Sequence, residues 1–135
     1  MSEKDGELER IRAGKMRELA AKMKEEKPVG NAPIAIDDEH FDETVKKHSL
    51  MLIDCWADWC GPCRLLAPTV DELVRDYAGR VTVGKLNVDD NPLTAERFSV
   101  MSIPTLLIMK NGVEVDRVVG CVPKELIEER LKKHL

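Results

Sequence analysis

Residues 50–64 read Leu50-Met51-Leu52-Ile53-Asp54-Cys55-Trp56-Ala57-Asp58-Trp59-Cys60-Gly61-Pro62-Cys63-Arg64, and the change of pattern inside this stretch decides the fold. Leu50 to Trp56 is a nearly unbroken apolar run, as expected of a strand covered on both faces. From Gly61 the spacing becomes that of a long helix reaching Tyr77. Pro62 suits a first helical turn, and Pro68 should bend or loosen the interior because it lacks an amide donor. A buried strand handing over directly to a helix is the repeating step of an α/β sheet.

Working outward, strand and helix patterns alternate from Ile34 onward. Ile34-Ala35-Ile36 reads as a short strand. Asp37-Asp38 is placed to cap a helix running through His48, with Phe41 and Val45 on one face. Val81 to Val88 alternates as a strand, and Asn91-Pro92 opens a short helix through Phe98. Thr105–Met109 and Val113–Val119 are strands joined by Lys110-Asn111-Gly112, a hairpin signal. Pro123 begins a last helix carrying Leu126, Ile127 and Leu131. The order predicts an α/β sheet with helices on both faces and an antiparallel hairpin at one end.

The whole chain sets the boundary conditions. Its 135 residues suffice for one core, and 43% apolar with 34% charged residues describe a globular protein. A formal net charge of −4 makes no case for nucleic acid. No apolar run approaches the roughly 18 residues of a membrane span, and no apolar signal-peptide core follows the charged start. The expected setting is cytoplasmic, where thiols stay reduced. Residues 1–33 differ from the rest: eight Lys/Arg and seven Asp/Glu, with Leu8, Ile11, Leu19 and Met23 at roughly helical spacing until Pro28-Val29-Gly30-Asn31. We expect a charged helical extension there, and a separate domain over 34–135.

The four cysteines carry the chemistry. Cys60 falls at a helix N-terminus, where free amides and the helix dipole favour a thiolate, the species that attacks disulfides. Cys63 lies three residues on, on the same side and one turn deeper, placed to resolve a mixed disulfide. A CxxC alone is also half a zinc site, but Cys55 and Cys121 do not form the second close pair that a four-thiolate site needs. Cys55, Cys60, Cys63 and Cys121 also have the spacing of a plant-type [2Fe–2S] centre, yet Cys55 lies within an apolar strand, and ligands come from loops. No metal is expected. Cys55 should be an inert core thiol, and Cys121 should sit exposed in a turn. His40, His48 and His134 fall away from the motif. Asp54 interrupts a buried strand, so desolvation should raise its pKa toward that of a general base for Cys63, with Lys85 on Val81–Val88 as charge partner.

The run Trp56-Ala57-Asp58-Trp59-Cys60-Gly61-Pro62-Cys63-Arg64 resembles the thioredoxin family. The likeness continues in register through Ala67-Pro68, Lys85–Asp89, Asn91-Pro92, Val100–Thr105, Lys110–Gly112 and Val119-Gly120. It implies a thioredoxin fold: a five-stranded mixed sheet flanked by four helices. It implies a cis Pro104, with Ile103 offering backbone groups to an extended client, and an apolar docking surface of Trp59, Gly61, Pro62, Ile103 and Gly120 around Cys60. Asp54 and Lys85 match the family's buried acid and its partner. The resemblance further implies disulfide-containing client proteins, reduction by a thioredoxin reductase, and no bound cofactor beyond the redox-active Cys60–Cys63 disulfide. A monomer is expected. Cys55 stands where the family commonly has Phe, Cys121 where it has a small residue, and the likeness does not reach residues 1–33.

Overall fold

The computed structural model describes residues 32–135, so the expected helical extension lies almost wholly outside the described residues. The elements are β1 (Ile34–Ala35), α1 (Phe41–Lys47), β2 (Leu50–Trp56), α2 (Gly61–Asp76), β3 (Thr82–Asn87), α3 (Pro92–Arg97), β4 (Thr105–Lys110), β5 (Val113–Val119) and α4 (Lys124–Lys132). They form one five-stranded sheet in the order β1-β3-β2-β4-β5. β1, β3 and β2 run parallel, while β4 is antiparallel to both β2 and β5. This is the mixed sheet with four helices that the motif pattern implied.

β2 lies at the centre, and all its residues but Trp56 are buried. Alternation along it serves two cores. Leu50 and Leu52 face α2 and α4 through Leu66, Val70, Leu73, Ile127 and Leu131. Met51, Ile53 and Cys55 face Phe41 and Val45 of α1, with Phe98, Val100 and Ile103 packed alongside. A strand covered twice has to be apolar throughout, which is why the sequence shows no alternation there.

Several boundaries differ from expectation for identifiable reasons. α2 continues unbroken through Pro68, which lies on its exposed side. α1 starts only at Phe41, after His40, and no side chain caps it. Asp37 accepts the His40 amide at 2.8 Å. Asp38 serves a different helix, because its carboxylate accepts the amides of Leu93 (3.1 Å) and Thr94 (2.8 Å) at the start of α3. Proximity in sequence pointed the cap at the wrong helix. The hairpin forms as expected, with Asn111 and Gly112 at φ 51° and 86°, the paired positive values of a tight two-residue turn. Gly84 leaves room for Ile36: a Cβ there would overlap Ile36 Cδ1 and lie 2.9 Å from its Cγ1, so a larger residue would displace that side chain. Among the described residues, no helix is long and apolar enough to cross a membrane.

Candidate active site

All three parallel strands end at the same edge of the sheet as the N-terminus of α2. Cys60 is the N-cap of α2, and its sulfur accepts the Cys63 amide at 3.2 Å. One of the helix's unpaired donors is therefore aimed at the sulfur where negative charge would develop. Cys60 and Cys63 are joined as a disulfide with their Cα atoms 5.3 Å apart. Both residues are nearly buried, so the expected difference in depth is not one of exposure. It is one of surroundings. Cys60 Sγ lies 3.9 Å from the Ile103 carbonyl oxygen at the sheet edge, whereas Cys63 lies on the buried side of α2 with Leu66 and Val70.

The Ile103–Pro104 peptide is cis. Pro104 is buried, and its carbonyl accepts the Gly120 amide at 2.8 Å, with Gly120 at φ 99°. Residues far apart in the chain (Cys60, Ile103, Pro104 and Gly120) thus meet at one edge. Gly61 and Pro62 form the first turn of α2 beside them. Trp59 is 67% exposed, and its indole nitrogen donates to Asp89 at 2.8 Å, which fixes the ring across the rim. Sequence reasoning missed Asp89. It stands 30 residues from Trp59, and no local spacing marks such a bond.

Asp54 lies on the β2 face that α2 covers, the side toward which Cys63 points. It is 1% exposed, and neither carboxylate oxygen has a hydrogen-bond partner among the described residues. Burial pushes its pKa up to about 6, against the opposing pull of the Lys85 charge. Lys85 is in register with Asp54 on β3, but its ammonium sits over the Trp56 ring, 4.7 Å from the centroid. The charge partner expected from sequence thus acts through the field and not through a contact. Cys55 projects to the other core, where burial and the Asp54 charge raise its pKa to about 12. Cys121 is an exposed free thiol.

Comparison with known proteins agrees with this geometry. The profile of the Thioredoxin family matches residues 32–133. A thioredoxin of Staphylococcus haemolyticus is 50% identical over 104 residues, covering 77% of this chain and 99% of that protein. One of Staphylococcus aureus is 49% identical over the same length and coverage. A solved structure, that of a mutant thioredoxin from Halobacterium salinarum NRC-1, superposes with a TM-score of 0.72 at 27% identity, covering 81% of this chain and 96% of that one. A shared fold alone would leave the chemistry open, but near-half identity over almost the full length of the staphylococcal relatives does not. The chain belongs to the thioredoxin family and is a disulfide oxidoreductase.

Proposed function

We propose that this protein reduces disulfides in client proteins, with Cys60 as the attacking thiolate and Cys63 as the resolving thiol. The observation that carries the assignment is the Cys60 sulfur at the N-cap of α2, holding the Cys63 amide and bordering the Ile103 carbonyl. In the reduced protein the Cys60 thiolate attacks one client sulfur, the client S–S bond breaks, and one client thiolate leaves. Asp54 then takes the proton from Cys63, by way of water where the gap requires it. The Cys63 thiolate attacks Cys60 Sγ, releasing the second client thiol and closing the Cys60–Cys63 disulfide. Two electrons pass to the client.

Docking would use the exposed rim. An extended client segment lies along Ile103 and Pro104, exchanging backbone hydrogen bonds with Ile103, while Trp59, Gly61, Pro62 and Gly120 offer apolar contact. Lys85 moderates the charge at Asp54. A thioredoxin reductase returns the disulfide to the dithiol, so the cycle needs no cofactor bound to this chain. The setting is cytoplasmic and the working form a monomer. Insulin-disulfide reduction tests the assignment. Cys60→Ser should abolish it, and Cys63→Ser should accumulate a mixed disulfide between Cys60 and the client, visible by mass under non-reducing conditions. Full activity in Cys60→Ser would refute it.

A further inference from the structure

Beside the redox pair lies a cavity of about 380 Å³ lined by Trp59, Val88, Val100, Met101, Ser102 and Ile103. Its walls are apolar apart from Ser102, and two of its residues, Trp59 and Ile103, belong to the proposed docking rim. Met101 is 89% exposed, the most open of the large apolar side chains among the described residues, whereas Met51 and Met109 are sealed inside the sheet. The cavity thus presents one accessible thioether two residues before Ile103 of the Ile103–Pro104 segment.

We propose that Met101 is an oxidation site, and that its sulfoxide weakens client docking at this edge. The proposal rests on the docking surface described above. A hydroperoxide supplies the oxygen. The Met101 sulfur lone pair attacks one peroxide oxygen and the O–O bond breaks. The departing oxygen takes a proton and leaves as water or an alcohol. Sulfur loses two electrons, and the peroxide gains them. The change is from a flexible apolar arm to a polar one with a strong acceptor. A client side chain seated in the cavity against Met101 would then cover the sulfoxide oxygen, and the mostly apolar lining would leave the loss of its hydration uncompensated. Buried Met51 and Met109 have no comparable access for the oxidant.

The experiment compares the full chain with its Met101→Leu variant, both carrying Cys121→Ser to remove the other exposed sulfur among the described residues. Each is treated with hydrogen peroxide as the Cys60–Cys63 disulfide, so that these sulfurs are not consumed. Peptide mass analysis reads the oxygen added at each methionine. Insulin reduction is then measured with dithiothreitol, which reduces the disulfide and leaves the sulfoxide. We expect oxygen at Met101 ahead of Met51 and Met109, and a KM for insulin raised about threefold to tenfold with kcat little changed, as for a loss confined to docking. Met101→Leu, measured against its own untreated activity, should show no such rise. Methionine sulfoxide reductase treatment should restore the full chain. The proposal fails if Met101 is fully oxidised without change in KM, or if Met101→Leu loses as much on treatment. An untreated protein unable to reduce insulin would instead overturn the proposed function, and this inference with it.

Discussion

Asp54 shows what burial does to one residue. With both oxygens unpartnered among the described residues and the side chain sealed, burial raises its pKa to about 6 in the fold against 3.8 when solvated. Because the folded pKa lies above the unfolded one, the native state binds more protons between those values. Stability is then greatest below about pH 4, falls as pH rises through about 6, and is lower by about 3 kcal/mol at neutral pH. Urea unfolding of the wild type and of Asp54→Asn at pH 4 and pH 7.5 should show the variant gaining about 2 to 3 kcal/mol on the wild type across that interval. The same substitution should slow the second exchange step by about 100-fold or more, since it removes the base proposed for Cys63. In the wild type that step should accelerate as pH rises through 6, and in Asp54→Asn the inflection should vanish. Rapid-quench trapping of the mixed disulfide across pH checks both. The cost of keeping a carboxylate where it destabilises the fold is the reason to assign it to the chemistry.

At the scale of elements, the short pieces hold one another. β1 has two residues and α3 six, too few to persist alone. The loop between β1 and α1 joins them: the Asp38 amide donates to Asn91 at 2.9 Å, and its carboxylate caps α3 in return. Although partial burial raises it, the Asp38 pKa is drawn below its ordinary value by the hydrogen bonds from the Thr94 side chain and from the Thr94 and Leu93 amides. The cap therefore contributes in full above pH 4 and is lost as pH falls through the lowered value. Asp38→Ala should cost about 1 kcal/mol at pH 7, and less at pH 2, in denaturant titration. Amide exchange should quicken first at Leu93 and Thr94. A loss confined to α1 would mean that Asp38 caps its neighbour in sequence after all.

At the scale of the whole molecule, the family match begins at residue 32, and among the described residues each face of the sheet carries its own buried core. A chain of residues 32–135 should keep its melting temperature within a few degrees and its insulin reductase activity within about twofold, an effect within the range of surface changes. A collapse of either would make the first segment part of the domain. Much of this architecture was legible in the sequence. The apolar run Leu50–Trp56, the Asn111-Gly112 turn and the cysteine spacing express local rules, in which backbone and side-chain preferences act over a few residues. Cys60 at its helix N-terminus followed from the same rules. The remainder depended on the chain returning to one place. The strand order, the partner of Trp59, the helix that Asp38 caps, and the position of Lys85 over Trp56 rather than on Asp54 all join residues tens of positions apart. Resemblance to the family supplied Pro104 at the cysteine edge, which spacing could not. The sequence by itself determined the elements and the redox pair, because these arise from short-range sterics and periodicity. Only the tertiary structure decided the neighbours, burial and charge that make that pair a site, because desolvation and long-range contact exist only once the sheet has closed over them.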